Sequence, residues 1–398
     1  MNPSESDIHD DEASRLINKL YDFLGPTNVD KALERYKKTL NLSGPIVSEY
    51  TIKHKHPWWS AFILFFELKN KAKSIKRNFT PEIRMLSADA KMVITLLKFM
   101  PESVKNKYKR DLIDPDRAFD YLFEIRIAWH FYSRGNELQW YEDDGEKHPE
   151  FLVKTPDFDF NVECKKIGVD TSRKVKREDF NRLIQMVLPE VEKQGYGGNI
   201  DIILNGRLDR THINTLHLDI LELIKSKNIK GEFEVPLGHI SLNLNEKSEK
   251  IFNVREYNES MLTDGLHVAF LSSRRDGDNL IDPIKISLKS KKPDEVLEGI
   301  YEKIYEAAKN QLNKSMPGII VCFLEGVYDL RELSSNSGLQ LMTCKLLNKD
   351  ELSHIARIEY CSEKQIHRFS NNAESYDNQR LSFNNPNCKF ETVKTYGF

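Results

Sequence analysis

The spacing of apolar residues changes period partway along this chain, and that change limits the folds open to it. From Glu12 to about Lys109 the apolar positions fall at helical spacing, as in "ASRLINKLYDFL", "VDKALERYKKTL" and "DAKMVITLLKFM", which predicts amphipathic helices. Prolines at 26, 45, 57, 81 and 101 punctuate them. Pro115 opens a further helix, "DPDRAFDYLFEIRIAWHFYSRG", expected to stop at Gly135. Three strand-like pieces follow, "ELQWYE", "EFLVKT" and "DFNVECKKI", the last two joined by a "PDF" turn. Next come a basic helix at 172–194, the strand "NIDIILNG" and the helix "LHLDILELIKSK". The remainder reads as strands "HISLNL", "HVAFLSS" and "IKISLK", the helix "PDEVLEGIYEKIYEAAKNQL", the strand "GIIVCFLEG" and another strand within 350–363. The tail from Ser370 is expected to be irregular. This order predicts an α/β fold, a mixed sheet covered by helices. The expected divisions are a disordered tail at 1–12, a helical region at 13–110, a core at 111–240 and an α/β region at 241–398 that is free to continue the core sheet.

Composition mainly excludes. A length of 398 residues suggests two or three domains. A hydrophobic content of 39% and a charged content of 30% are those of a soluble protein. With a net charge of −2 no global field drives the chain onto nucleic acid or membrane, so any polyanion site must be a local basic patch. Five scattered cysteines without a CxxC pair fit reduced thiols and a cytoplasmic location. The acidic start "MNPSESDIHDDEASR" is unlike a signal peptide. The run "PWWSAFILFFEL" (57–68) is too short to span a bilayer and reads as a buried helix, so no membrane partner is expected. "HKH" (54–56) lacks partner acids at metal spacing. Neither a Walker A loop, a Rossmann fingerprint nor H-E-x-x-H is present.

Two acidic residues stand out. In "DFNVECKKI", Phe160, Val162 and Cys164 share one strand face, while Asn161, Glu163 and Lys165 share the other. Either that polar face meets water on a half-exposed strand, or Glu163 and Lys165 stand over a cleft. In "FDYLFEIRIAWHFY", Glu124 lies in a helix that is apolar around most of its circumference. A buried glutamate needs a partner. Arg126, Arg117 or another core cation could supply it, or Glu124 lines the same cleft as Glu163.

These residues together resemble the PD-(D/E)XK nuclease superfamily, of restriction-endonuclease-like fold. Glu163-Cys164-Lys165 is similar to the E-x-K element, Pro149-Glu150 to the preceding acidic element, and Glu124 to the helix acid of many members. The resemblance covers roughly 115–210 and takes "NIDIILNG" as the strand completing the α-β-β-β-α-β order. Where the family usually has Asp this chain has Glu150, and Pro156-Asp157 is a rival. Asp157 lies only six residues before Glu163, too close for two paired strands, so Glu150 is preferred. The resemblance implies a Mg²⁺ site, with Mn²⁺ able to substitute, held by Glu150, Glu163 and the main-chain carbonyl of Cys164. Mg²⁺ favours such oxygen ligands. Lys165 then orients or deprotonates the attacking water, and Glu124 supports a second metal or holds Lys165. The Cys164 thiol, on the opposite face, is expected to be packed core.

Arg173, Lys174, Lys176 and Arg177 ("RKVKR"), with Arg182, follow the E-x-K strand and are the expected nucleic-acid contacts, although such a run also suits a solvated helix start. "IKRN" (75–78) and "KNKYKR" (105–110) are weaker versions. The expected function is thus a metal-dependent nuclease acting on DNA, in restriction or phage defence, with homo-oligomerisation open. The alternatives are a non-catalytic nucleic-acid-binding protein that keeps the fold, and an RNA-directed nuclease.

Overall fold

The computed structural model describes residues 10–43, 45–71, 80–142, 147–168, 170–247, 249, 251–253, 265–272, 274–276, 279–325, 337–362, 366–370, 373–376 and 380–390. Seven helices come first: α1 (Asp10–Leu24), α2 (Pro26–Leu42), α3 (Pro45–Tyr50), α4 (Trp59–Asn70), α5 (Pro81–Leu96), α6 (Glu102–Asp111) and α7 (Ala118–Tyr132). Then follow β1 (Glu137–Trp140), β2 (Phe151–Lys154), β3 (Asp159–Ile167), α8 (Arg177–Lys193), β4 (Tyr196–Leu204), α9 (Arg210–Lys225), β5 (Lys230–Val235) and β6 (Gly238–Glu246). The short β7 (Ile251–Asn253), β9 (Arg274–Asp276) and β10 (Asn279–Ile281) surround β8 (His267–Leu271) in the chain. After β11 (Ile284–Ser290) come α10 (Val296–Asn310), β12 (Gly318–Leu324), α11 (Ser337–Leu347), β13 (Ile355–Ser362), β14 (Ile366–Ser370), β15 (Ala373–Tyr376) and β16 (Arg380–Asn384). The chain forms two compact units. Residues 1–38, 53–169 and 297–398 make the first, and residues 39–52 and 170–296 the second.

The first unit is built on a six-stranded mixed sheet in the order β1-β2-β3-β12-β13-β16. β1, β2 and β3 form an antiparallel meander, β12 runs parallel to β3 and β13, and β16 closes the edge antiparallel to β13. β12, "GIIVCFL", is buried along nearly its whole length, as a parallel strand covered on both faces must be. On one face lies α7, with Phe131 against Phe160 and Phe151 and Phe123 against Phe323. On the other lies α11, where the hydroxyls of Thr343 and Tyr360 meet at 2.8 Å. Among the N-terminal helices, α1 packs on α5 and α5 on α7. α4, the run read as a buried helix, places Trp59, Phe62 and Phe65 in the core. Among the described residues no helix is long and apolar enough to cross a membrane.

The second unit holds a five-stranded sheet in the order β5-β6-β4-β11-β8, parallel only between β4 and β11. α8 and α9 cover one face, where Leu183, Val187, Ile200, Ile202, Leu216, Leu242 and Ile286 share a core. α3 is fastened to α8, the Ile46 amide donating to Gln185 Oε1 (2.8 Å) and Asn181 to Thr51 (3.0 Å).

Several expectations are corrected. The strand "NIDIILNG" is β4 and does not complete the sheet of β1–β3; its alternation, with Asn199 and Asp201 on one face, suits a sheet covered on one side only. The parallel neighbour of β3 is β12, which is apolar on both faces. The expected 111–240 core is therefore split between the units, and the C-terminal region does continue the first sheet. β3 is an interior strand, and on its polar face Asn161 and Glu163 are fully buried while Lys165 keeps partial access to water. Helix α1 begins at Asp10, within the tail expected to be disordered, while residues 1–9 lie outside the described residues. The tail from Ser370 carries β15 and β16. "RKVKR" precedes α8 except for Arg177, its first residue. "IKRN" (75–78) lies outside the described residues.

Candidate active site at the end of β3

β2 pairs with β3 only as far as Phe151 opposite Val162. Beyond that point β3 continues through Glu163, Cys164 and Lys165 with β12 alone beside it. The amide of Glu150, one residue before β2, donates to the carbonyl of Val162 (3.1 Å) and so holds Glu150 where the two strands part. Asp157 sits at the other end of this hairpin, exposed in the turn closed by Thr155 and Phe158. At about 3.3 Å per residue, the four strand residues from Asp159 to Val162 put the turn more than about 10 Å along the strand from Glu163.

Glu163 is fully buried. Its Oε1 is in ion-pair contact with Lys165 Nζ, yet among the described residues neither carboxylate oxygen accepts a well-formed hydrogen bond. Glu124 is also buried and accepts a hydrogen bond from Tyr108 Oη (2.7 Å), a residue of α6. The arginines expected to neutralise it are engaged elsewhere, Arg126 with Asp89 (3.1 Å) and Arg117 with Asp111 (3.4 Å). Glu150 is partly buried.

The three carboxyls sense one another. Burial and then Glu150 hold Glu124 well above the usual carboxyl range, with Glu163 adding to the shift. Burial raises Glu150, and Lys165, Lys107 and a hydrogen bond with Glu124 oppose it. Burial and Glu150 push Glu163 up to about 8 against the pull of Lys165 and Lys107. For Lys165, burial disfavours the charge, but Glu163, Glu150 and Glu124 outweigh it and the ammonium is stabilised. Clustered carboxyls in a poorly solvated place behave in this way. The Cys164 thiol is buried and raised well above its range, first by burial and then by the same three acids, which keeps it un-ionised and unreactive.

Sequence reasoning misses Tyr108 and Lys107 as site residues. Both fall inside "KNKYKR", where only the charge run draws notice. Lys107 also lies over the ring of Tyr121 (5.6 Å), and Tyr121 packs edge-on to Tyr108 (5.0 Å). Asn161, on the same strand face as Glu163, accepts a hydrogen bond from Tyr141 Oη (2.6 Å).

The expected nucleic-acid residues belong to the second unit. Arg173 is buried and paired with Asp294 (3.2 Å), Lys174 is paired with Glu295 (3.0 Å), and Arg182 with Glu178. Lys176 and Arg177 are partly exposed.

Among the described residues no group of three or more His, Cys, Asp and Glu side chains stands ready to hold a metal ion. As placed, Glu163 faces Lys165 and Glu124 faces Tyr108. The donor chemistry nonetheless suits a hard cation. Mg²⁺ is commonly held by one or two carboxylates completed by water and substrate phosphate, and Glu163 carries two buried oxygens without hydrogen bonds beside Glu150.

No family model, curated protein or solved structure matches the chain.

Proposed function

We propose that this chain is a metal-dependent nuclease of the PD-(D/E)XK kind, hydrolysing phosphodiester bonds of DNA. The observation that carries this reading is the mutual electrostatic influence of Glu124 in α7, Glu150 just before β2 and Glu163 in β3, with Lys165 paired to Glu163. Packing alone gives no reason to place three mutually repelling carboxyls near one another and bury two of them. Further support comes from the element order. α7, β1, β2, β3, α10 and β12 follow α-β-β-β-α-β, with residues 170–296 inserted before α10.

Glu150 and Glu163 are the side chains that would hold Mg²⁺ or Mn²⁺, with the Cys164 carbonyl between Glu163 and Lys165. The cation supplies Lewis-acid stabilisation of charge on the phosphate. The chain's own residues do the rest. Lys165, at the ion-pair position on Glu163, stands where an ammonium can orient the attacking water or stabilise the phosphate charge. Tyr108 fixes the Glu124 carboxyl through its hydrogen bond, so that Glu124 can accept from, or orient, groups bound beside Glu150.

Glu163→Ala and Lys165→Ala are each expected to abolish Mg²⁺- or Mn²⁺-dependent cleavage of DNA while leaving the circular dichroism spectrum intact. Cleavage at the wild-type rate in either variant removes the catalytic assignment. A wild-type protein that binds DNA tightly and never cuts it favours the non-catalytic reading instead.

A further inference from the structure

The basic run after β3 is mostly used up internally, and the second unit carries its free positive charge elsewhere. Three stretches meet where the parallel strands β4 and β11 end. The amide of Leu208 donates to the carbonyl of Lys174 (2.9 Å), that of Lys291 to Leu204 (2.8 Å), and that of Glu295 to Ser172 (3.1 Å). The Lys174 amide donates to Asp294 Oδ1 (2.7 Å). Residues 170–177, 205–210 and 289–295 are thereby tied into one surface. Together they hold nine cations against four acids, in a chain whose overall charge is close to neutral.

The acids are committed to the frame. Asp294 takes Arg173 and the Lys174 amide, Glu295 takes Lys174, Asp170 accepts from the Arg177 amide (2.8 Å), and Asp209 caps α9 by accepting from the amides of Thr211 and His212. Arg207, Arg210, Lys289, Lys291 and Lys292 are all exposed, and among the described residues none of them is in an ion pair. Lys291 donates to the side chain of Asn205 (2.9 Å), a neutral partner. Surface lysines and arginines usually find a carboxylate when one is near. Five that do not, on two of the three stretches tied together here, leave a local excess of positive charge of the kind that attracts a polyanion.

We propose that this three-loop end of the second unit is the docking surface for the nucleic-acid backbone. Arg207, Arg210, Lys289, Lys291 and Lys292 contact phosphates, while Arg173 and Lys174 hold the loops together. The proposal rests on the nuclease reading for its choice of polyanion. Contacts of this kind position a duplex and carry little sequence information.

The test measures binding of a fluorescent 20-base-pair DNA by anisotropy across a salt series, in EDTA to prevent cleavage. The proteins compared are wild type and the variant with all five cations replaced by Gln. Folding is monitored by thermal melting, which these exposed, unpaired residues should not change. The variant should bind at least tenfold more weakly, and unrelated sequences should be affected alike. The slope of log affinity against log salt should shrink by roughly 0.9 for each phosphate that the variant no longer neutralises. Wild-type binding with an unchanged affinity and slope in the variant overturns the surface and leaves the nuclease reading standing. A wild-type protein that binds no DNA or RNA, but is captured by anionic phospholipid vesicles, overturns both.

Discussion

Glu163 is a residue whose burial and chemistry pull in opposite directions. Its folded carboxyl holds a proton up to about pH 8, whereas the unfolded chain releases it near 4.5. Between those values the folded state binds more protons, so stability falls as pH rises. Glu124 and Glu150 are shifted the same way and add to the slope. In EDTA, the thermal midpoint of the first unit is expected to drop from pH 5 to pH 8, by the equivalent of roughly 2–4 kcal/mol. Glu163→Gln should flatten that slope and raise the midpoint at pH 8 while removing metal-dependent cleavage. A midpoint that climbs with pH would show the acids already ionised and the site differently charged. The same residue explains why the strand is legible in the sequence but its surroundings are not. The alternation of "DFNVECKKI" is local, and its limits match β3 to the residue. That Asn161 and Glu163 on its polar face are buried depends on β12 and β13, which come much later in the chain. Tyr108 is hidden for the same reason, since nothing in "KNKYKR" announces that one ring will reach Glu124.

At the scale of elements, the two sheets differ in how their strands are coded. β12 is apolar on both faces and belongs in the middle of a covered sheet, while β4 alternates and belongs to a sheet with one open face. Composition separates them, but both follow a helix and both invite pairing with β3, and local pattern does not choose partners. β16 escapes a sequence reading because an edge strand rich in Asn and Ser resembles a loop. α11, "SGLQLMTCKLL", is absent from the expected elements, although its periodic Leu and Met residues support a helix. One tight crossing in the second sheet gives a test. Gly198 in β4 has φ of +124°, and a Cβ there would lie 2.3 Å from the carbonyl oxygen of Asn243 in β6. Gly198→Ala should therefore destabilise the second unit by more than about 2 kcal/mol, read as a lower urea midpoint by circular dichroism. A change under about 0.5 kcal/mol would mean that the β4–β6 approach is looser than described.

At the scale of the molecule, all four tryptophans, Trp58, Trp59, Trp129 and Trp140, lie in the first unit. Indole fluorescence thus reports that unit alone, while far-ultraviolet circular dichroism reports both. Each unit has its own sheet and core, so circular dichroism should show two urea transitions, of which fluorescence follows only the first unit's. Mn²⁺ should move that transition in both probes and leave the second unit's in place. Coincident curves would make the chain a single cooperative body. The pairing of Asn161 with Gly318 has a further consequence during synthesis. A ribosome delivers every residue of the candidate site, and the whole second unit, before it delivers β12. Until residues 318–324 and the strands after them emerge, β3 has no parallel neighbour, and the three carboxyls have no reason to gather. A nascent chain ending at Asn310 should be able to engage nucleic acid through its second unit and yet be unable to cut it. On the nuclease reading, the growing polypeptide would acquire its hold before its blade.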